Sequence, residues 1–324
     1  MKVGILGAGS IAVTMAKTLN GMENARAYAV GSRSLEKAQA FAEKNQVEKA
    51  YGSYEALFAD PEVELIYVAV PHSHHCQAMK MALEAGKPVL CEKAFTANAA
   101  QAEEILRLSE EKGIFVGEAM WTRFLPSRAM IDEVIRSGEI GKVHMITANL
   151  GYDIRTVERL RNPELAGGAL LDVGIYPLTF IRMITDAKIA SMDTSCVKLE
   201  TGVDAQNAAT FVFEDGCMAS MHSSMLGGTE QAGIVYGDQG YLIAWNINNV
   251  NKIQIFDNNR KLIREMQVPE QITGFEYEVQ AAIEAISAGK TECPQMPHSE
   301  TMYMMRLMDR MREAWGIRFP FETK

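Results

Sequence analysis

The sequence predicts an α/β protein with two domains: a doubly wound parallel sheet at the amino terminus, then an α+β domain with a mostly antiparallel, open sheet. Short apolar runs alternate with segments of helical spacing over roughly residues 1–120, which is the pattern of strand–helix–strand units. After Trp121 the runs become closely spaced, and turn signals separate them. The chain of 324 residues also exceeds the size at which one hydrophobic core keeps growing. We therefore predict domains at residues 1–120 and 121–324.

The first half reads as strands joined by helices. An apolar run at Lys2–Leu6 precedes a helical pattern at Ile11–Leu19 and a second apolar run at Ala27–Val30. Leu65–Val70 is apolar throughout, which is typical of a parallel strand buried on both faces. Further strands are predicted at Lys49–Ala50, Pro88–Cys91 and Ile114–Gly117, and further helices at Leu35–Asn45, Ser53–Ala59, His75–Ala85 and Ala97–Glu111.

The second half carries hairpin signals instead of crossovers. Glu214-Asp215-Gly216 and Gly237-Asp238-Gln239-Gly240 lie between alternating runs, so we expect a mostly antiparallel sheet. A strand is predicted at Val143–Tyr152, and helices at Pro126–Arg136, Asp172–Ile184, Phe275–Ala288 and Ser299–Trp315. Because a broad exposed sheet face needs cover, we expect a homodimer that forms through this sheet.

Composition and charge exclude several classes of partner. A net charge of −9 and a pI near 5.3 repel polyphosphate backbones, so we expect a small-molecule partner and no nucleic acid. Five cysteines without a CxxC pair indicate neither a disulfide framework nor a zinc site. No run reaches about 18 consecutive apolar residues, so we expect no membrane span.

The amino terminus resembles a signal peptide only superficially. It combines one lysine with an apolar run, but a second basic residue is missing, and Gly7, Ala8 and Gly9 interrupt the apolar segment. We therefore expect a cytoplasmic protein whose cysteines are reduced.

A glycine-rich motif joins the first predicted strand to the first helix. Gly7 permits a tight turn, Gly9 lets the backbone approach a pyrophosphate, and Ala12 replaces the third glycine of a dinucleotide fingerprint. The helix start then offers N–H groups to phosphates. The alternative is a glycine-rich turn without a ligand. The residues expected at the cofactor are Gly7, Gly9, Ser10, Ile11 and Ala12.

The end of the second strand indicates which dinucleotide binds. An NAD-selective site places a carboxylate there to bind the ribose 2′-hydroxyl, but residues 30–34 read Val-Gly-Ser-Arg-Ser. Ser32 and Arg33 can instead bind a 2′-phosphate through charge-assisted hydrogen bonds, so we predict a preference for NADP. The alternative is that Arg33 stacks on adenine and NAD is also accepted.

Polar side chains follow two later strands at the same sheet edge. The three histidines of Pro71-His72-Ser73-His74-His75 are too close together for easy metal coordination, and no carboxylate or cysteine cluster completes a site, so no metal is expected. His75 either caps a helix start or lines the nicotinamide pocket. Lys93 is either a surface ammonium or a hydrogen-bond donor to a substrate hydroxyl. We expect cofactor contacts from Val70, Pro71, His72, His75, Glu92 and Lys93.

In the second half, Asp172 and Tyr176 are four residues apart, so they face the same way if the segment is helical. This spacing suits a proton relay. On the alternative reading, Asp172 is a helix N-cap and Tyr176 a packed aromatic. The polar, glycine-ended loop Arg155–Gly168 precedes them and is either a mobile cover over a site or an ordinary surface connection.

These motifs, in this order, resemble the Gfo/Idh/MocA (glucose–fructose oxidoreductase, inositol dehydrogenase, rhizopine catabolism) oxidoreductase family over nearly the whole chain. The strings EAMWTRFLP at Glu118–Pro126 and GGALLDVGIYPL at Gly167–Leu178 are most similar to its branch of dimeric dihydrodiol dehydrogenases and NADP-linked D-xylose dehydrogenases. Most relatives have proline after the lysine, whereas here Ala94 follows Lys93, so the sequence does not predict whether this peptide is cis.

The resemblance implies hydride transfer between NADP and a secondary alcohol or carbonyl of a sugar, cyclic polyol or diol. It makes Lys93 the catalytic lysine, Asp172 its partner at the substrate and Tyr176 the acid/base. Two alternatives are a non-catalytic NADP-binding sensor and a glycosidase-type enzyme that retains its cofactor. The resemblance further implies a substrate pocket lined by Trp121, Arg123, Tyr152 and Phe275.

Overall fold

The structure, a computed structural model, describes residues 1–322 and divides into two compact units. The first consists of Met1–Phe124 and Gln271–Arg306, and the second of Leu125–Glu270 and Leu307–Lys324. The predicted boundary at residue 120 lies close to the first break. The predicted domains do not include the return of Gln271–Arg306 to the first unit. The predicted second domain also contains Thr323 and Lys324, which lie outside the described residues.

The first unit is built on a six-stranded parallel sheet with strand order β3-β2-β1-β4-β5-β6. The α/β class and the doubly wound parallel sheet are therefore confirmed. The strands are β1 (Lys2–Leu6), β2 (Arg26–Gly31), β3 (Lys49–Tyr51), β4 (Leu65–Val68), β5 (Val89–Glu92) and β6 (Val116–Ala119).

Helices connect these strands, and three of them begin at side-chain caps, including the third, where the Ser53 hydroxyl accepts a hydrogen bond from the Ala56 N–H. The Ser34 hydroxyl accepts a hydrogen bond from the Lys37 N–H, and the Asn98 side chain accepts one from the Gln101 N–H. The fourth helix begins at His72 and not at His75, because Pro71 supplies the extended residue before its first turn. The helices are α1 (Ser10–Gly21), α2 (Leu35–Asn45), α3 (Tyr54–Phe58), α4 (His72–Glu84) and α5 (Ala99–Lys112).

The last part of the chain returns to the first unit through hydrogen bonds that are distant in sequence. The Val116 N–H on β6 donates to the Thr291 carbonyl at 3.0 Å, and the Asn24 amide donates to Gln280 at 2.7 Å. Tertiary contacts of this kind leave no local sequence signal, which is why the boundary prediction missed them.

The second unit contains an eight-stranded sheet with strand order β14-β13-β12-β11-β7-β10-β9-β8. All neighbouring pairs are antiparallel except β7 and β10, so the predicted, mostly antiparallel sheet is confirmed. Its strands are β7 (Val143–Gly151), β8 (Ile189–Lys198), β9 (Asp204–Phe213), β10 (Met218–Ser224), β11 (Ala232–Gly237), β12 (Gly240–Trp245), β13 (Lys252–Asp257) and β14 (Leu262–Gln267).

Helical segments complete both units. The predicted helix at Asp172–Ile184 is in fact a five-residue π-helix, Leu170–Gly174, that continues directly into an α-helix packed on β7, β10 and β11. The remaining α-helices are α6 (Pro126–Arg136), α7 (Glu158–Arg161), α8 (Ile175–Ile184), α9 (Glu276–Ser287) and α10 (His298–Ala314).

Within residues 1–322, one helical stretch, Pro163–Ile184, is long and apolar enough to cross a membrane by length and composition. Of its apolar window, 89% is buried inside the protein, and a buried core helix meets the same criterion. This stretch contains the π-helix and α8.

Candidate active site

The glycine turn between β1 and α1 has a shape that side chains would disrupt. Gly7 has φ +115°, and a Cβ there would lie 2.3 Å from the carbonyl oxygen of Ala69. Its N–H donates to the Gly31 carbonyl at 2.9 Å, which ties the turn to the end of β2. A Cβ on Gly9 would meet nothing within 4 Å, so that face of the turn is open. Ala12 is fully buried, as expected at the close helix–strand contact.

This turn fits the pyrophosphate of a dinucleotide. Gly9 is the N-cap of α1 and supplies no side chain to the N–H groups of the first turn, which includes Ser10 and Ile11. The turn also lies where the strand order reverses, because β1 has β2 on one side and β4 on the other. Open α/β sheets bind ligands at such a point.

The end of β2 presents a basic side chain and no carboxylate. Arg33 is exposed, while the Ser32 N–H donates to the Tyr51 carbonyl at 3.1 Å. Burial lowers the pKa of His74, and the charge of Arg33 lowers it further. Burial raises the pKa of Tyr54, and Arg33 acts against that shift. Ser32 and Arg33 therefore lie at the end of β2, where Arg33 supplies the positive charge that the prediction of a 2′-phosphate site requires.

The histidine-rich segment after β4 is largely internal. His72 is buried with its ring edge-on to that of His75, 5.6 Å between centroids. The ring nitrogens of His75 lie 2.9 Å from the Ala94 carbonyl oxygen and 2.8 Å from that of Val70, so this side chain links the ends of β4 and β5. Burial lowers the pKa of His75 to about 4. His75 does not cap α4, whose N-cap is Pro71.

The backbone around Lys93 is fixed on both sides. The buried Glu92 carboxylate accepts hydrogen bonds from the Tyr67 hydroxyl and, at 3.2 Å, from the Lys93 N–H. The Lys93–Ala94 peptide is cis. Two residues further on, the Phe95 N–H donates to the buried Glu118 carboxylate at 3.1 Å. Lys93 thus lies at the carboxyl end of β5, and buried carboxylates hydrogen-bond the backbone at Lys93 and at Phe95.

Three of the four predicted substrate residues lie in the first unit. Trp121 stacks on Phe275 with 4.3 Å between ring centroids and a 14° interplanar angle, and both are mostly buried. Arg123 donates to the Gln295 carbonyl and to the Glu300 carboxylate. Tyr152 lies in the second unit, where its hydroxyl accepts a hydrogen bond from Asn248 at 3.1 Å.

Asp172 and Tyr176 lie in the second unit, on the π-helix and the first turn of α8. Each residue is 8% exposed. Arg159 on α7 donates to the Asp172 carboxylate at 3.0 Å. The sequence analysis missed this arginine, although it singled out the polar loop Arg155–Gly168 that carries it.

No group of three or more His, Cys, Asp or Glu side chains within residues 1–322 is arranged to hold a metal ion. In particular, His72 and His75 pack against each other inside the first unit.

Comparison with known proteins identifies both halves of the chain. Residues 1–119 match the model of the oxidoreductase family with an NAD-binding Rossmann fold, and residues 129–243 match the GFO/IDH/MocA C-terminal domain. The predicted dinucleotide-binding Rossmann domain is thereby confirmed.

Two relatives are similar over nearly their full length. The chain is 31% identical to trans-1,2-dihydrobenzene-1,2-diol dehydrogenase of Mus musculus over 100% of this chain and 99% of that protein. It is also 31% identical to D-xylose 1-dehydrogenase (NADP(+)) of Hypocrea jecorina, over 99% of this chain and 93% of that protein.

Solved structures share the fold at lower sequence identity. A 3-ketoreductase from Actinomadura kijaniata in complex with NADP has a TM-score of 0.84 at 21% identity, with 97% of each chain covered. An aldose–aldose oxidoreductase from Caulobacter crescentus has a TM-score of 0.87 at 20% identity, also with 97% of each chain covered. The family models and the full-length relatives agree with the resemblance of the sequence motifs, and the chain therefore belongs to the Gfo/Idh/MocA oxidoreductase family.

Proposed function

We propose that this oxidoreductase transfers a hydride between NADP and a secondary alcohol or carbonyl of a sugar, cyclic polyol or diol. The observation that carries the proposal is the full-length similarity to a dihydrobenzenediol dehydrogenase and an NADP-linked D-xylose dehydrogenase. Both relatives act on CH–OH groups, as their names state. The chain carries the Lys93, Asp172 and Tyr176 side chains that such chemistry requires.

The first unit holds the dinucleotide. The open turn at Gly7 and Gly9 and the uncapped start of α1 receive the pyrophosphate. Ser32 and Arg33 bind the 2′-phosphate, because a guanidinium forms strong charge-assisted hydrogen bonds with phosphate oxygens. When bound, NADP supplies the nicotinamide carbon that accepts or donates the hydride. The remaining predicted contacts come from Ile11, Ala12, Val70, Pro71, His72, His75 and Glu92.

Two side chains handle the proton and the charge on the substrate oxygen. The Lys93 ammonium donates a hydrogen bond to that oxygen and stabilises the negative charge that develops on it as its proton leaves, before the hydride is transferred. During oxidation Tyr176 acts as a phenolate that accepts the substrate's hydroxyl proton, and during reduction the resulting phenol donates that proton back to the substrate oxygen. Asp172, held by Arg159, orients the substrate through a carboxylate oxygen.

Aromatic side chains set the class of substrate. The stacked rings of Trp121 and Phe275 offer a flat apolar surface, which suits a pyranose or a cyclohexadiene diol. Arg123 and Tyr152 are the proposed polar contacts of the substrate. We also propose a cytoplasmic location, since none of the five thiols is paired within the described chain, which includes all of them.

We further propose a homodimer formed by the open face of the second unit's sheet. Met218, Met145, Tyr236, Tyr241 and Phe256 are paired across five neighbouring strands, so they form one row on one face. The three aromatic rings contact one another at centroid distances of 6.0 and 5.0 Å. A continuous apolar row of this kind matches a second copy of itself about a two-fold axis.

The experiment that tests the function is a screen by NADPH absorbance. D-Xylose, D-glucose, myo-inositol and trans-1,2-dihydrobenzene-1,2-diol are offered with NADP⁺ and with NAD⁺, and ketoses with NADPH. We expect turnover that prefers NADP⁺. Lys93→Met should lose at least about a hundredfold in kcat while still quenching or enhancing NADPH fluorescence on binding. Lys80→Met is the matched control, because this lysine lies on α4 of the same unit and pairs with Glu104 on the surface.

Other outcomes would reject the proposal. Full activity in Lys93→Met removes this residue from the mechanism. Tight NADPH binding without turnover of any compound, in either direction, would favour a sensor. Glycoside cleavage without release of the cofactor would favour the hydrolase alternative.

A further inference from the structure

A buried carboxylate in the second unit accepts the hydrogen bond that starts the π-helix. Asp204, the first residue of β9, is only 3% exposed. Its Oδ2 accepts from the Leu170 N–H at 2.7 Å and from the Asn207 side-chain amide at 2.8 Å. Asn207 in turn accepts from the Ser223 hydroxyl on β10 at 3.0 Å. The first N–H of a helix lacks a partner within the helix, so Asp204 satisfies it from a neighbouring strand.

The turn before the π-helix lies against the same carboxylate. A Cβ on Gly168 would lie 2.3 Å from Asp204 Oδ1, so the turn passes directly over the carboxyl group. The Gly168 N–H donates to the Leu160 carbonyl at 2.8 Å, and a Cβ on Gly167 would lie 2.8 Å from the Arg159 carbonyl oxygen. The turn therefore lies against the backbone of α7, which carries the arginine that binds Asp172.

We infer that Asp204 is a positioning residue of the active site: it places the π-helix that carries Asp172 against the segment that carries Arg159. This inference rests on the role proposed above for Asp172. Asp204 bonds neither charged group; it accepts from the backbone of the π-helix at Leu170, and it lies against the Gly168 turn, whose N–H donates to Leu160 on α7. Nothing in the local sequence marks this role, because the backbone N–H that Asp204 accepts from, that of Leu170, lies 34 residues earlier in the chain.

The surroundings keep Asp204 available as a charged acceptor at neutral pH. Burial raises its pKa to about 6, while the hydrogen bonds from Asn207 and Leu170 and the charge of Arg312 act in the opposite direction. The other titratable group that its charge reaches is the Cys196 thiol on β8, which it makes harder to ionise. A charged carboxylate accepts stronger hydrogen bonds than a neutral acceptor does.

The test compares two substitutions that differ in whether position 204 keeps an oxygen that can accept hydrogen bonds. Asp204→Asn keeps an oxygen where Leu170 and Asn207 donate, whereas Asp204→Ala removes it. Hydrogen exchange of the peptide that covers residues 167–178, measured by mass spectrometry, reports on the π-helix without any substrate. We expect exchange there to accelerate at least about tenfold in Asp204→Ala and to stay near the wild-type rate in Asp204→Asn, because opening follows the lost hydrogen bonds.

Activity on the best substrate of the screen supplies the second measurement. We expect Asp204→Ala to lower kcat by up to about a hundredfold, because misplacement of a catalytic group by about 1 Å has an effect of that size. The KM and the dissociation constant of NADPH should change little, and Asp204→Asn should recover most of kcat. Ile253→Ala, in the core of β13, is the control: it lowers the melting temperature of the same unit without contact to this network.

The outcomes separate the two claims. If Asp172→Asn is inactive but Asp204→Ala exchanges and reacts like Ile253→Ala, the inference is wrong and the proposed function stands. If Asp172→Asn is fully active, the proposed role of Asp172 fails, and the inference fails with it whatever the exchange data show. Equal loss of kcat in Asp204→Asn and Asp204→Ala would also overturn the inference, since it would indicate a role of charge. Should Asp204→Ala not fold, Asn207→Ala, which removes one donor to the same oxygen, replaces it with the same expected direction.

Discussion

The carboxyl group of Glu118 shows how burial and hydrogen bonding compete at a single residue. It is fully enclosed in the first unit, where it accepts hydrogen bonds from the Phe95 N–H and, at 2.9 Å, from the Thr301 hydroxyl. Burial raises its pKa to about 7, although both hydrogen bonds act in the opposite direction. The group thus links the backbone that follows Lys93 to the start of α10.

The raised pKa of Glu118 makes its contribution to stability depend on pH. The folded protein binds this proton more tightly than the unfolded chain does, so the stabilisation is present below pH 4.5 and is lost as the pH rises through 7. Glu118→Gln keeps the shape without the charge. We expect the variant to gain up to about 3 kcal/mol relative to wild type between pH 5 and pH 8, measured by urea unfolding.

Glu110→Gln on the exposed face of α5 is the control, because this carboxylate is solvated and the substitution removes a charge that is not buried. If the free energy of unfolding had the same pH dependence in both variants, burial would not be the cause of the raised pKa of Glu118.

Residues that directly follow a strand could be placed from the sequence. Gly7 and Lys93 are examples, because each directly follows a strand of the parallel sheet, and a strand end is visible in the sequence. Arg159, Asp204 and Glu118 were missed. Each acts through a partner that only tertiary packing supplies, and a charged residue in a polar loop or at a strand start looks ordinary without that partner.

At the scale of elements, the π-helix is the segment most sensitive to its entry turn. Gly168 has φ +114° and lies directly over the Asp204 carboxylate. Any side chain there would meet both backbone strain and a steric clash. The turn therefore restricts this position to glycine for two independent reasons.

Two alanine substitutions separate these reasons. Gly202 in the same unit also has positive φ, +90°, but a Cβ there would meet nothing within 4 Å. We expect Gly202→Ala to cost about 1–2 kcal/mol through strain alone. Gly168→Ala should cost about 1–3 kcal/mol more, because the methyl group displaces the carboxylate. Thermal unfolding by differential scanning calorimetry measures both, and equal costs would show that the turn can relax away from Asp204.

The elements themselves were largely visible in the sequence. Continuous apolar runs such as Leu65–Val68 predicted the parallel strands. The turn signals that follow Phe213 and begin at Gly237 predicted the hairpins. The π-helix was not visible, since its five residues are almost all apolar and buried, and such a run does not distinguish a π-turn from the first turn of α8.

At the scale of the whole molecule, the proposed dimer depends on the apolar row across the second sheet. Met145 is the second residue of that row and is 44% exposed. We expect Met145→Arg to weaken the dimer at least about a hundredfold, because an unpaired charge would be desolvated in the interface. Light scattering coupled to size-exclusion chromatography over a dilution series measures the change.

Leu35→Arg is the matched control, because this side chain is similarly exposed, 49%, but lies on α2 of the first unit. A wild-type protein that is monomeric at all concentrations, or a dimer unaffected by Met145→Arg, would contradict the proposed interface.

The division of the first unit into two separate stretches of chain has a consequence for biosynthesis. A ribosome releases Met1–Phe124 first, but Gln271–Arg306 emerges only after all of Leu125–Glu270 has been translated. During that interval Trp121 has no Phe275 to stack on, and the Val116 N–H has no Thr291 carbonyl to bind. The cofactor-binding unit is therefore incomplete until most of the chain has been synthesised. Most of its residues are translated first, but it completes its folding late.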